Sequence, residues 1–194
     1  MPKLYGNLMN RLAEGRNYTN HELKVGDDIT MYLWSDRKCY YITEVISQKE
    51  IKVKEYHVCA DHSKPGGMGH QDWLYFKTLK EENDYLRQYF PNREDFSIPE
   101  PEAQTWVYRY NKWQLAVPRT PEYWNECVQE YLQIQRDNSE DIDSDKAIHR
   151  AQCSLGLTDK EVAKIQSGQT VRKYHDLLGK VSFGVRDYHY DWEF

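Results

Sequence analysis

Three histidines in one segment are the residues best suited to acid–base or metal chemistry. His57, His62 and His70 stand near Cys59 in a stretch that is rich in glycine. Structural zinc takes four nitrogen or sulfur ligands, usually as two closely spaced pairs. The spacing here is irregular and only one cysteine takes part, which favours a solvated loop over a metal site. A small nuclease-like enzyme that uses these histidines stays open as an alternative.

Other catalytic signatures are not found in the sequence. It contains no G-x-S-x-G elbow, no catalytic-cysteine motif and no P-loop. The glycine-rich stretch 66–69 leads into a predicted strand, whereas a phosphate cradle leads into a helix. The four cysteines are widely scattered and indicate free thiols. We therefore predict that the chain is not an enzyme and has no catalytic residue, no metal and no cofactor.

A row of carboxylates is the strongest charge pattern. Glu122, Glu126 and Glu130 recur one turn apart on one face of a predicted helix, and an acidic run over 137–145 follows. The net charge of −5 argues against a general nucleic-acid binder. Spaced carboxylates can instead imitate phosphates and compete for a nucleic-acid channel. A simple solvated face is the alternative.

A helix-turn-helix-like pattern covers residues 158–178. Helix, short glycine turn and helix are predicted in that order, and the second helix carries Arg172, Lys173 and His175. Two departures weaken the pattern, because the turn glycine comes five residues after Ala163 and Lys173 stands where an apolar residue belongs. A DNA-binding regulator that uses these residues stays open, as does an ordinary helical hairpin.

The elements that must position these groups follow from the hydrophobic period. Alternation predicts strands at 29–34, 39–46, 51–54 and 72–76, and a hairpin over 106–117 that turns at Asn111-Lys112. The stretch 57–69 is predicted as a loop and 81–102 as a surface excursion. Helices are predicted from an N-cap at Thr120 with Pro121, over 145–154, and from a capping box formed by Thr158 and Glu161. The tail 181–194 has strand character again.

This order predicts an α+β fold. A final strand that returns after helices favours a small antiparallel β-barrel, residues 1–117 plus 179–194, closed by its own C-terminus. Residues 118–178 then form a helical insertion. The N-terminal sequence lacks the apolar core of a signal peptide and the chain has no long apolar run, so we expect no membrane contact and a cytoplasmic location.

Three separated pieces of the sequence resemble a family of small proteins from bacteriophages and mobile elements. The first runs from Asn7-Leu8-Met9 through Val25-Gly26 to Trp34-Ser35-Asp36-Arg37. The second comprises Ile51-Lys52-Val53, Gly67-Met68 and Gln71-Asp72-Trp73. The third comprises Asn111-Lys112-Trp113 and the tail from Phe183-Gly184-Val185-Arg186-Asp187-Tyr188 to Phe194.

The resemblance implies an SH3-like β-barrel and a phage or mobile-element origin. Some similar small proteins inhibit the Cas9 effector of type II CRISPR systems. The leading hypothesis is therefore a non-catalytic protein that binds a host protein or ribonucleoprotein such as Cas9, with possible DNA contact. Its predicted contact residues are Asp36, Arg37, Glu122, Glu126 and Glu130. Arg186 and Asp187 are candidates for an ion pair that closes the barrel.

Overall fold

The computed structural model describes residues 22–33, 35–64, 72–138 and 142–189. One compact unit comprises the described residues up to Leu115 and from Asp176 onward, and the other comprises Ala116–His175. The predicted α+β class is confirmed, with four helices and two sheets in the described part of the chain. The strands are β1 Asp28–Tyr32, β2 Arg37–Ser47, β3 Glu50–Glu55, β4 His57–Ala60, β5 Trp73–Phe76, β6 Gln104–Arg109, β7 Lys112–Arg119, β8 Val171–Asp176 and β9 Lys180–Phe183. The helices are α1 Leu79–Tyr89, α2 Pro121–Asp137, α3 Ser144–Leu155 and α4 Asp159–Gln166.

The larger sheet has seven strands in the order β8-β7-β6-β3-β2-β1-β9. The predicted return of the tail onto the early strands is confirmed, because β9 pairs antiparallel with β1 and places Phe183 opposite Ile29. The predicted closure into a barrel is wrong for the described residues. Strand β8 adds to the outer side of β7, so that β8 and β9 are the two edges of an open sheet.

The core of the first unit lies on one face of this sheet. Period-two alternation places apolar side chains from neighbouring strands on the same side. Tyr40 and Trp106 pack with ring centroids 5.0 Å apart, which fixes β2 relative to β6 across β3. The fully buried apolar side chains of this core are Ile29, Ile42, Ile51, Val53 and Trp106.

Two further elements, β4 and α1, lie where the sequence interpretation placed a loop and a surface excursion. Strand β4 pairs antiparallel with β5, Val58 opposite Tyr75, where a loop was predicted. Helix α1 occupies the predicted surface excursion, and Thr78 and Glu81 form a capping box at its start. The excursion prediction gave weight to the acidic composition and overlooked this local start signal. Residues 91–103 follow α1 without regular structure.

The second unit contains α2, α3 and α4, whose predicted starts are largely confirmed. Thr120 caps α2 with Pro121 in the first turn, and Thr158 and Glu161 form the predicted capping box of α4. Among the described residues, no helix combines the length and apolar content needed to cross a lipid bilayer. The buried core of this unit consists of Trp124, Ala151, Leu155, Leu157, Val162 and Ile165.

The prediction of a second helix in the helix-turn-helix-like segment is wrong. Helix α4 ends at Gln166, Gly168 adopts a φ of +88°, and residues 171–176 form strand β8. The three-residue spacing of Val171 and Tyr174 fits a helix, but β-branched and aromatic residues also suit a strand. Strand β7 decides between the two, because its edge offers residues 171–176 a hydrogen-bonded neighbour in the larger sheet.

Candidate functional site

The predicted carboxylate row lies along the exposed face of α2. The Thr120 hydroxyl oxygen accepts a hydrogen bond from the Tyr123 N–H at 3.2 Å and fixes where the helix starts. The opposite face is held inside by Trp124 and Gln135, which are 4% and 0% exposed. Rotation about the helix axis is thereby fixed, and the carboxylates of Glu122, Glu126 and Glu130 all point to solvent.

Gln135 contributes to this arrangement although the sequence interpretation did not single it out. Its side-chain Nε2 donates to the Asp143 carbonyl at 3.2 Å, and its Oε1 accepts from the Asp143 N–H at 2.7 Å. A buried amide that satisfies both backbone groups of one residue fixes the end of α2 to the start of α3. The sequence signal is a glutamine on the apolar side of an amphipathic helix.

The exposed carboxylates are not used for internal pairing. Within the described residues, no ion pair engages Glu122, Glu126 or Glu130. Hydrogen bonds at the helix start, from the Glu122 backbone and the Thr120 side chain, lower the pKa of Glu122 below its usual value. Glu122 is thus anionic at neutral pH, and α2 as a whole carries four acidic residues against one basic residue.

A pocket of about 310 Å³ opens in the same helical unit. Its apolar part is formed by Trp124 and Val128 of α2, Ile148 of α3 and Ile165 of α4. Pro121, Asn125, Gln166 and Gly168 complete the lining. Asn125 and Gln166 are exposed and place amide groups at the rim. The pocket therefore combines an apolar floor with polar edges.

Arg37, which was also predicted as a contact residue, is nearly buried. Its side chain is 10% exposed and pairs with the carboxylate of Asp187. The Arg37 backbone N–H donates to the His189 carbonyl at 2.8 Å. Arg37 therefore anchors the tail, and little of its guanidinium faces solvent. Asp36 is half-buried in the turn before β2, where its carbonyl accepts from the Leu33 N–H at 2.9 Å.

The predicted ion pair between Arg186 and Asp187 does not form. Arg186 Nε lies 3.9 Å from Asp28 Oδ2, while Asp187 pairs with Arg37. Neighbouring residues in an extended tail point to opposite sides, so each finds a partner on a different early strand. The Arg186 guanidinium also lies over the Tyr75 ring, 4.7 Å from its centroid.

The histidine segment forms no joint site in the described residues. His57 is almost buried on β4, with Nδ1 3.6 Å from Glu82 Oε2 and Nε2 3.1 Å from Glu100 Oε2. His62 is exposed, and its ring packs against Phe90 with centroids 4.9 Å apart. His70 lies outside the described residues. In the part of the chain that the structure describes, no group of three or more suitable side chains could hold a metal ion.

Glu82 and Glu100 are the partners that the sequence interpretation missed. Burial raises the pKa of Glu82, and nearby His57 opposes that shift. Hydrogen bonds from the Leu79 N–H and from His57 lower the pKa of Glu100. The capping box at Thr78 was a sequence signal for α1 and therefore for the position of Glu82. No local pattern predicts that Glu100 contacts His57.

The residues of the DNA-binding alternative lie on β8. Arg172 and His175 are exposed, whereas Lys173 Nζ lies 3.1 Å from Glu161 Oε2 on α4. An extended strand places Arg172 on the opposite side from Lys173. The three side chains therefore do not share one helix face that could enter a major groove.

Comparisons with protein-family models, with curated proteins and with solved structures found no match to this chain.

Proposed function

We propose that this chain is a non-catalytic binding protein that blocks a host nucleic-acid enzyme through the carboxylate face of α2. The observation that carries the proposal is the solvent exposure of Glu122, Glu126 and Glu130, which no internal ion pair engages within the described residues. Residues four apart on a helix are separated by about 6 Å along the axis. A basic channel that binds a phosphate backbone would meet a regularly spaced row of anions on this face.

Three side chains support a role other than catalysis, namely the thiols of Cys39 and Cys59 and the ring of His57. Burial raises the pKa of the Cys39 and Cys59 thiols to about 12, so both remain protonated at neutral pH and are poor nucleophiles. Both ring nitrogens of His57 face carboxylates, the nearly buried one of Glu82 and the exposed one of Glu100. His57 is therefore engaged in packing and lacks an open side from which to act on a substrate.

We also propose a more specific fold for the first unit. We place the strands around β1, β2 and β3 in an SH3-like arrangement of phage or mobile-element origin. The antiparallel return of β9 onto β1 and the anchoring of Asp187 by Arg37 support it. Guide-loaded Cas9 is the first partner to test, because it holds its nucleic acids in a positively charged channel.

The test mixes the purified chain with guide-loaded Cas9 and measures complex formation and DNA cleavage. The wild type is expected to bind and to slow cleavage, and the triple variant Glu122→Gln/Glu126→Gln/Glu130→Gln is expected to bind on the order of tenfold more weakly. Absence of both complex and inhibition overturns Cas9 as the partner.

A matched control separates the position of the charges from their number. The triple variant Glu22→Gln/Glu94→Gln/Glu102→Gln removes three exposed carboxylates elsewhere and changes the net charge equally. Its binding is expected to stay within about twofold of the wild type. Equal weakening by both triple variants would show that the overall charge acts, and not the α2 face.

A further inference from the structure

Helix α3 carries a histidine and a cysteine one turn apart on its exposed face. His149 and Cys153 are both exposed, and His149 Nε2 lies 3.7 Å from Cys153 Sγ. Residues four apart on a helix are neighbours on the same face, so the two side chains meet without any change of the backbone. Neither of them belongs to the buried core of the helical unit. Both side chains are therefore accessible to an ion from solvent.

The separation of the two atoms matches the distance between two ligands of a tetrahedral metal ion. Zinc binds thiolate sulfur at about 2.3 Å and imidazole nitrogen at about 2.0–2.1 Å. Two such bonds at the tetrahedral angle place sulfur and nitrogen about 3.5–3.6 Å apart. The observed 3.7 Å therefore needs only a small side-chain adjustment. Two ligands one helical turn apart also occur in zinc sites that are built on helices.

The helix that carries the pair is held at its start and along its inner face. Asp143 caps it, and its Oδ1 accepts from the Lys146 N–H at 3.0 Å. Ala147, Ala151 and Leu155 are buried on the side opposite to the pair. A fixed helix keeps the two ligands one turn apart, so an ion orders only two side chains when it binds.

The chemistry of the two ligands selects the kind of ion. Thiolate and imidazole suit Zn²⁺ and Co²⁺, whereas Mg²⁺ and Ca²⁺ prefer oxygen ligands. Asp145 stands one turn before His149 on the helix surface. Lys146 and Arg150 stand three residues before the two ligands. These charges oppose each other, so the bonds to Sγ and Nε2 must hold the ion.

The other cysteines are poorer ligands than Cys153. A metal binds the thiolate, so the thiol has to lose its proton. Burial raises the pKa of Cys39 and Cys59 to about 12, which opposes that loss. Cys127 is half-buried. Of the four free cysteines, all of which the structure describes, Cys153 alone is exposed.

We infer that His149 and Cys153 form a two-ligand site for a thiophilic divalent ion such as Zn²⁺. The ion exchanges two of its water molecules for Sγ and Nε2, and the thiol proton leaves to solvent. Within the described residues no third suitable side chain joins the pair, so water molecules complete the tetrahedron. The inference goes beyond the proposed function, because it needs neither the carboxylate face of α2 nor a partner protein.

A titration of the reduced full chain with Co²⁺ tests the site. Co²⁺ accepts the same ligands as Zn²⁺, and its bond to thiolate gives a near-ultraviolet charge-transfer absorption that aqueous Co²⁺ lacks. We expect this band to saturate at one ion per chain and to disappear when Zn²⁺ displaces Co²⁺. An excess of Mg²⁺ is expected to leave the band unchanged. Absence of the band up to about 1 mM Co²⁺ overturns the inference.

Single variants identify the two ligands. Cys153→Ser is expected to abolish the band. His149→Gln is expected to weaken Co²⁺ binding at least about tenfold, because even the loss of a group that only supports a ligand costs that much. The control Cys127→Ser leaves both ligands in place and is expected to stay within about twofold of the wild type. A band that survives Cys153→Ser, or equal affinities of His149→Gln and the wild type, overturns the inference.

A shifted histidine separates the spacing of the ligands from their number. The double variant Lys146→His/His149→Gln keeps the number of histidines but places the ring about 10 Å before Cys153 along the helix axis. It is expected to bind Co²⁺ no better than His149→Gln alone. Recovery of the wild-type affinity by the double variant would overturn the inference. Circular dichroism confirms that each variant keeps its helices.

Discussion

At the scale of single residues, an ion pair between distant parts of the chain helps to hold the tail. Arg37 and Asp187 are 150 positions apart in the sequence. Arg37 is 10% exposed and Asp187 is 37% exposed, so the pair is only partly desolvated. Asp187 also donates its backbone N–H to the Thr30 hydroxyl at 3.1 Å. The pair acts together with other polar contacts of the tail, among them the Gly184 N–H donated to the Asp28 carbonyl at 2.8 Å and the Thr30 hydroxyl donated to the Val185 carbonyl at 2.9 Å.

Replacing Arg37 tests this anchoring. Arg37→Met leaves the Asp187 carboxylate without its cation and is expected to lower the free energy of unfolding by about 2 kcal/mol, less than for a fully buried pair. Urea denaturation measures the change. Lys52→Met breaks the exposed pair with Glu44 and is expected to cost within about 0.5 kcal/mol. Equal, small effects of the two substitutions would contradict the anchoring role of Arg37.

Glu100 gives a residue-level prediction for pH. Its carboxylate accepts from the Leu79 N–H at 2.9 Å and contacts His57 Nε2, which lowers its pKa below the ordinary value of 4.5. A carboxyl group with a lowered folded-state pKa stabilises the fold above its unfolded pKa and loses that contribution as pH falls through the folded pKa.

The matching experiment compares the wild type with Glu100→Gln by urea denaturation across pH. The stability difference between them is expected to be fully present above pH 4.5 and to shrink as the pH falls further. Glu102→Gln, an exposed neighbour, controls for the loss of one negative charge. A Glu100→Gln difference that grows towards acid pH would contradict the arrangement around His57.

At the scale of elements, the turn between β6 and β7 has a backbone conformation that favours particular residue types. Tyr110 and Asn111 have φ values of 52° and 61°, so both central turn residues adopt left-handed conformations. The sequence interpretation placed the turn one residue later, at Asn111-Lys112. Two consecutive positive φ values indicate a type I′ turn, which matches the twist of antiparallel strands. Tyrosine is a poor residue for that conformation.

The double substitution Tyr110→Asn/Asn111→Gly supplies the residues that this turn prefers. It is expected to raise the free energy of unfolding by about 1 kcal/mol, because Tyr110 is 80% exposed and its ring contributes little packing. Urea denaturation measures the gain. Lys112→Gly places glycine in β7 instead and is expected to lower stability by about 0.5–1 kcal/mol. Destabilisation by the double variant would contradict the turn geometry.

At the scale of the whole molecule, the return of the chain into β9 depends on a close backbone approach. A Cβ atom added at Gly179 would lie 1.9 Å from the Tyr32 carbonyl oxygen. That carbonyl belongs to the end of β1, which pairs with β9 directly after Gly179. Only glycine lets the two backbones meet at this distance. The antiparallel pairing of the first and last described strands of the larger sheet therefore requires this residue.

Gly179→Ala is expected to lower the free energy of unfolding by about 2 kcal/mol or more and to speed hydrogen exchange of amides in β1 and β9. The control Gly26→Ala changes a glycine with a φ of +91° and no neighbouring atom within 4 Å of the added Cβ. Its cost is expected to be about 1 kcal/mol, from backbone conformation alone. Equal costs, with unchanged exchange in β9, would contradict the close approach.

The sequence by itself determined the features that depend on near neighbours. Alternating apolar residues specify β1, β2 and β3, and capping by Thr120 and Thr158 specifies where α2 and α4 begin. Spacing by one helical turn places the three predicted glutamates on one face of α2. These features need no knowledge of the rest of the chain, because hydrogen bonds and side-chain periods within a few residues decide them.

Tertiary structure alone decided the features whose partners lie far apart in sequence. Residues 171–176 form a strand because β7 offers them an edge, although their apolar spacing also fits a helix. Arg37 turns inward because Asp187 arrives from the tail, and His57 is enclosed because Glu82 and Glu100 approach from α1 and the segment after it. Such pairings depend on the burial and geometry of the complete fold, and no local pattern encodes them.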